Sequence, residues 1–261
     1  MSVGRVTRLA ILGDVHDHQP RLTRVLDWLV AEVPPLDAVL LVGDIAGNPS
    51  WALRAHPAEL ERMRSDVARI VDQVEEATGA PVCFVPGNHD PRDLPLPQNV
   101  DRRSATLGDG PLRVWGVGGA GPGRWGLPYE WAEEEVAALV VPPCDVLLAH
   151  APPRGTTLDR LLGSDTALGS AAIRGHVLRH HGLFCCGHIH EGFGAEVLGD
   201  ALCVNAGGLG EPHGAAQVAL VEARPDGALG TGWDARLVNL DAGTEVQVRH
   251  RSSPAADARL P

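Results

Sequence analysis

The stretch Val85-Pro86-Gly87-Asn88-His89-Asp90 decides how the rest of the chain is read. An apolar run, residues 82–85, stops at Pro86-Gly87, a strand-ending pair, and delivers three polar side chains in succession. Asn88 offers a neutral oxygen, His89 a nitrogen that can carry a proton, and Asp90 a carboxylate that can orient the histidine. Alone this is an ordinary turn, since Asn, Asp and Gly dominate turns for local reasons. It gains meaning because four other apolar runs end in the same manner.

Working outward, residues 8–13 read as a strand that stops at Asp14-Val15-His16. A helix follows, with Leu22, Val25, Leu26, Leu29 and Val33 at helical spacing and Pro34-Pro35 closing it. Residues 38–42 form a strand ending at Gly43-Asp44, and an amphipathic helix over 57–78 is stopped by Gly79. Two strand–helix–strand passages in a row predict parallel pairing with right-handed crossovers. The Pro-, Asp- and Arg-rich residues 91–110 read as a surface loop, and 112–117 as a strand running into a glycine cluster that lacks the G-x-G-x-x-G order. Trp125, Tyr129 and Trp131 suit packing better than a pocket wall, and a short helix is expected over 132–140.

The strand 145–149 ends at His150, and the strand 183–186 ends at Gly187-His188-Ile189-His190. Between them a helix is expected over 169–182. Its His176 and His180 lack the neighbouring glutamate of a helical zinc pair and suit a solvated helix end. Beyond His190 the character changes to short β-rich runs at 195–198, 201–205, 217–222, 235–240 and 245–248, joined by glycine turns. The expectation is an α/β chain with mixed sheets, one domain over 1–250 and a disordered tail over 251–261.

Composition narrows the function. All 22 basic residues are arginine, so a P-loop with its phosphate-binding lysine is excluded. The formal net charge of −11 argues against nucleic acid and anionic membrane as partners. No run approaches a membrane span, and the apolar run at 9–12 is too short for a signal peptide, so a cytoplasmic location is expected. The 5 cysteines lack C-x-x-C spacing and read as reduced, buried thiols. Of the vicinal pair Cys185-Cys186, at most one could face a site at the strand ends, because neighbours on a strand point to opposite faces.

Five strand ends thus carry D-x-H, G-D, G-N-H-D, H and G-H-x-H. Ligands of α/β sheets bind beyond the carboxyl ends of the strands, so these loops can converge. Residues i and i+2 of extended chain face one side, which lets Asp14 with His16, and His188 with His190, aim two groups at one point. Imidazoles, carboxylates and an amide oxygen suit borderline metals such as Mn, Fe, Co, Ni or Zn. Asp14, His16, Asp44, Asn88, His150, His188 and His190 are too many for one ion and enough for two.

In this order the motifs resemble the calcineurin-like metallophosphoesterase superfamily, over the span from Asp14 to His190. The resemblance implies a four-layer αββα sandwich, two mixed β-sheets flanked by helices, with a dinuclear centre of Mn, Fe or Zn at the strand ends. Carried over, Asp14, His16 and His190 would hold one metal, and Asn88, His150 and His188 the other, with Asp44 bridging. A metal-bridging hydroxide would attack the phosphorus while His89, oriented by Asp90, assists the leaving group. The run after Gly43-Asp44 lacks the second Asp and the Arg of the Ser/Thr phosphatases, and the single Tyr129 lies outside every motif, which argues against purple acid phosphatases.

The phrases His150-Ala151-Pro152-Pro153 and Gly187-His188-Ile189-His190-Glu191-Gly192 look more like the family's small phosphodiesterases, so a small phosphodiester is the expected substrate. A phosphomonoesterase or a nuclease on the same site is the alternative. A catalytically silent scaffold is a further one, disfavoured because every ligand position is filled. His18, His213, Arg154, Trp51 and the 118–131 loop are candidates to touch substrate. Oligomeric state is not legible at this level.

Overall fold

A computed structural model describes residues 5–48, 50, 52–108, 112–121, 123, 125–163, 166–225 and 230–252. Its first half alternates strands and helices: β1 (Thr7–Leu12), α1 (Gln19–Glu32), β2 (Ala38–Leu41), α2 (Pro57–Thr78) and β3 (Val82–Phe84). There follow β4 (Ser104–Thr106), β5 (Arg113–Val117), α3 (Glu133–Ala137), β6 (Val146–Ala149), α4 (Ala171–Val177) and β7 (Leu183–Cys186). The chain ends in strands β8 (Gly194–Leu198), β9 (Ala201–Asn205), β10 (Gln217–Pro225), β11 (Thr231–Asn239) and β12 (Thr244–Ser252).

These strands form two six-stranded sheets, ordered β12-β11-β10-β1-β2-β3 and β4-β5-β6-β7-β9-β8. In the first, β1, β2 and β3 run parallel while β10 to β12 are antiparallel; in the second, β5, β6, β7 and β9 are parallel and the edges β4 and β8 antiparallel. Strand periodicity explains the layering. Leu9 and Ile11 of β1, Leu40 of β2, Leu148 of β6 and Cys185 of β7 meet between the sheets. Their neighbours Ala10, Leu12 and Leu41 pack under α1 and α2, while Leu147, Phe184 and Cys186 pack under α3 and α4. Both faces of the central strands are therefore buried, which is why they read as unbroken apolar runs. The result is the four-layer αββα sandwich.

The helices form where the sequence puts their signals. Leu22, Val25, Leu26 and Leu29 bury one face of α1, and Met63, Val67, Ile70, Val71 and Val74 one face of α2. Pro57 opens α2 behind the capping His56, and Gly79 ends it in the left-handed conformation at φ 66°.

Four expectations need correcting. The loop over 91–110 contains β4, a three-residue edge strand in which exposed Ser104 and Thr106 flank a single half-buried Ala105, too short a pattern to read as a strand. Helix α4 is half the expected length, and His176 and His180 are buried rather than solvated. Their rings bond Val136 O (2.8 Å) and Leu183 O (3.0 Å). Strand β12 extends through Arg251 and Ser252, so the tail cannot begin at 251, and residues 253–261 lie outside the described residues. The cysteine reading holds: Cys185 and Cys186 pack into apolar cores on opposite faces of β7. All five cysteines are unpaired.

Candidate metal centre

The carboxyl ends of β1, β2, β3, β6 and β7 open onto one cavity of about 1050 Å³, and His16, Asp44, Asn88, His89, His188 and His190 line it. Asp14 and His150 lie beneath, both 0 % exposed. Candidate ligand atoms of Asp14, His16 and His190 fall within 4.8 Å of one another, as do those of Asp14, Asp44 and His150. Asp44 stands between the two groups: one of its oxygens is 3.7 Å from His16 Nε2 and 3.5 Å from His150 Nε2. The His188 ring lies 5.0 Å from that of His150, centre to centre.

Backbone geometry produces this convergence. Asp14, His16, Asp44 and His188 have φ of 44°, 45°, 49° and 67°, a left-handed conformation that non-glycine residues rarely adopt. Main-chain bonds stitch the first two loops together, Asp14 N to Gly43 O and His16 N to Asp44 O. The Asp14 carboxylate accepts from His188 N at 2.9 Å, and that of Asp44 from His89 N at 2.8 Å. A Cβ on Gly87 would collide with the Asp44 carboxylate, and one on Gly187 with that of Asp14, so only glycine permits these approaches.

Two of the histidines, His150 and His190, are oriented through the nitrogen that faces away from the cluster. His150 Nδ1 donates to Val42 O (2.7 Å) and His190 Nδ1 to Pro212 O (2.5 Å). In a neutral ring each Nε2 is then a lone pair turned inward, as in metal-bound histidines. His190 Nε2 lies 3.2 Å from Asp14 Oδ1, and His150 Nε2 lies 2.8 Å from Asn88 Oδ1, an acceptor facing an acceptor. A proton on the ring or a cation between the atoms satisfies such a contact. Buried His16 Nδ1 has no hydrogen-bond partner among the described residues. The donor set of carboxylates, imidazoles and one amide oxygen fits borderline divalent metals.

Without a cation, protons supply the positive charge. Burial pushes His150 and His190 down, but the Asp44 and Asp14 carboxylates beside them prevail and raise each to about 9. His188, buried next to His150, is driven down to about 4. Burial opposes ionisation of Asp14 and Asp44, yet the adjacent His190 and His150 hold both carboxyls below the usual range. Two buried carboxylates surrounded by imidazoles form a cation-seeking floor.

Asp90 requires a correction. Its carboxylate does not bond His89; it accepts from Gly87 N (2.8 Å), Ile45 N (3.0 Å) and Ala46 N (2.9 Å), tying the loop after β2 to the loop after β3. Buried His89 Nδ1 has no hydrogen-bond partner among the described residues. Adjacent residues in this turn diverge, so the carboxylate points down into the backbone while the imidazole faces the cavity. Burial raises Asp90 to about 6.

The family model for calcineurin-like phosphoesterases matches residues 7–192. The chain belongs to that family. Metal-dependent hydrolysis of phosphate esters is the chemistry of that family. The uncharacterized protein MJ1162 of Methanocaldococcus jannaschii is 30% identical over 138 residues, covering 48% of this chain and 62% of that protein. A solved crystal structure superposes with a TM-score of 0.62 at 17% identity, over 94% of this chain and 99% of the other, a likeness of fold. The calcineurin-like phosphoesterase YfkN from Bacillus subtilis gives 0.47 at 11% identity, over 94% and 90%.

The other candidate residues separate cleanly. Arg154, Trp125 and His213 line the cavity, whereas Tyr129 and Trp131 are buried and bond Asp101 (2.6 Å) and Gly118 O (2.9 Å). His18 does not line the cavity; it caps α1 by accepting from Arg21 N. Trp51 lies outside the described residues.

Sequence reasoning missed Asn205, at the end of β9. Fully buried, its amide nitrogen reaches Leu158 O, Gly187 O and Ile189 O, and its oxygen accepts from Gly207 N, so it fixes the turn that carries His188 and His190.

Proposed function

We propose that this phosphoesterase hydrolyses a small phosphodiester with two metal ions, Mn, Fe or Zn, at the cavity floor. Asp14, His16 and His190 would hold one and Asn88, His150 and His188 the other, with Asp44 between them. When bound, such a pair lowers the pKa of water to about 7 and offsets phosphoryl charge. One observation carries the reading: His150 and His190 are each pinned through Nδ1, leaving Nε2 turned toward the two buried carboxylates.

The chain's own residues do the rest. His89, on the cavity side and held by its main-chain bond to Asp44, donates a proton to the departing oxygen. Asp90 acts as a positioning residue, through the backbone it ties down. A diester suits the lining because Arg154 is its one guanidinium among the described residues, while a doubly charged monoester calls for more positive partners. A cytoplasmic setting belongs to this reading, supported by five unpaired cysteines.

The test is metal analysis followed by turnover of bis(4-nitrophenyl) phosphate and 4-nitrophenyl phosphate with Mn²⁺. The expected outcome is faster diester hydrolysis that a chelator abolishes. Preference for the monoester refutes the diester assignment, and chelator-insensitive turnover refutes the metal centre.

A further inference from the structure

Three of the large apolar side chains that stay exposed gather at one place. Trp125 (58 %), Leu162 (79 %) and Leu168 (41 %) all line the cavity above the metal-centre floor. Leu127, Leu161 and Ala167 extend the same lining. Exposing such groups costs stability without a compensating contact, and apolar surface continuous with a polar catalytic floor marks where a substrate's non-reacting part rests.

Two polar side chains on the α4 side of the lining, Ser170 and Glu133, are already spent, while Asn48, Arg154, Glu211 and His213 also line the cavity. Ser170 Oγ donates to Glu133 (3.0 Å) and accepts from Ile173 N (3.0 Å), and the same Glu133 oxygen accepts from Ala172 N (2.8 Å). These are capping bonds at the start of α4, so they offer little to a nucleobase edge or a sugar hydroxyl. A cavity of about 1050 Å³ also far exceeds what a phosphate with a methyl substituent fills.

We infer that the second substituent of the phosphodiester is an aliphatic chain, which lies along Trp125, Leu162 and Leu168 while the phosphate sits on the floor. This inference rests on the phosphodiesterase reading above. The occupant is the substrate's own chain, because these apolar side chains line the same cavity as the residues that would hold its phosphate.

The experiment uses 4-nitrophenyl alkyl phosphodiesters from methyl to octyl, below their aggregation limits, so that the leaving group stays constant. The expected result is kcat/KM rising about threefold per methylene over the first several carbons, through KM rather than kcat. In a Leu162→Asp/Leu168→Asp variant the octyl-to-methyl ratio should collapse by about tenfold or more. A parallel calorimetric titration with methyl- to octylphosphonate reads the same slope without turnover. A flat series in both measurements, or an unchanged ratio in the variant, overturns the inference. Turnover with a flat series leaves the phosphodiesterase reading intact, whereas a binding slope without turnover refutes that reading and keeps the aliphatic subsite. Attachment to phosphatidylcholine vesicles together with a flat series overturns the inference and assigns the leucines to a membrane surface.

Discussion

Replacing Asn205 by alanine tests whether the turn bearing His188 and His190 is held from below. The side chain is fully buried, and its oxygen is the hydrogen-bond acceptor found for Gly207 N at 2.8 Å. Its amide reaches Leu158 O at 2.9 Å and Ile189 O at 3.0 Å. Ile189 O also receives Gly192 N, and Gly187 O receives Ile189 N, so these carbonyls keep a partner in the variant. Gly207 N does not, and an unpaired buried N–H costs about 1–3 kcal/mol. Adding about 1 kcal/mol for the bond to Leu158 gives a total of about 3 kcal/mol. For a chain of this size that is a drop in Tm of about 5–6 °C. The measurement belongs on chelated protein, since bound metal would add its own stabilisation. On the metal-loaded side, loss of an orienting contact beneath two ligands should weaken metal binding by about 10–100-fold. A Tm within about 2 °C of wild type with undiminished metal affinity would refute the reasoning.

The remaining expectations probe other links. His89→Ala should lower kcat by about 10²–10⁴ at unchanged metal content, read by steady-state kinetics beside elemental analysis. In chelated protein His16→Gly should be more stable than His16→Ala by about 1 kcal/mol in urea unfolding, because glycine relieves the left-handed backbone that alanine keeps. His18→Ala should cost about 0.5–1 kcal/mol through the lost cap of α1 and leave kcat/KM unchanged; a changed kcat/KM would place His18 back at the substrate. Burial pushes the Cys83 thiol up to about 11 and those of Cys144 and Cys203 up to about 12. An acid raised on folding keeps its proton while the unfolded chain loses it, so these thiols lower stability as pH rises above about 9. At pH 8 they should resist a thiol-specific chromogenic reagent until denaturant is added.

What the sequence displayed well were places where one residue type does one job. Pro57 and Gly79 bound α2 at the expected residues because a missing N–H and a left-handed cap leave little freedom. The strand ends were visible because both faces of those strands are buried and the first polar residue marks the exit from the core. Legibility failed where one residue type serves several roles. Asp90 sits beside His89 in sequence, yet its partners are the main-chain N–H groups of Gly87, Ile45 and Ala46, two of them in a different loop. Asn205 looked like any strand-end asparagine, because nothing local reveals that Leu158, forty-seven positions earlier, supplies its acceptor. His176 and His180 matched a metal spacing, but tertiary packing gave their rings carbonyls instead.

The glycines of the motifs belong to the same argument as the ligands. Asp14, His16, Asp44 and His188 each hold a left-handed backbone, worth about 1–2 kcal/mol of strain apiece and together a sizeable part of a domain's net stability. That strain persists because the ligands serve twice. The carboxylate of Asp14 receives His188 N, and that of Asp44 receives His89 N, so each acid fixes the backbone of a loop from a different strand. Those bonds need close main-chain approach, which Gly87 and Gly187 allow by having no Cβ to strike the carboxylates. Gly43, at φ 98°, does the same beside His150 Nδ1, where a Cβ would come within 2.5 Å. The pairs G-D and G-N-H-D and the run G-H-x-H therefore encode a packing solution as well as a donor set. A chain that kept the acids and histidines but exchanged the glycines for alanine would still carry the chemistry in its sequence and could not bring it to one point.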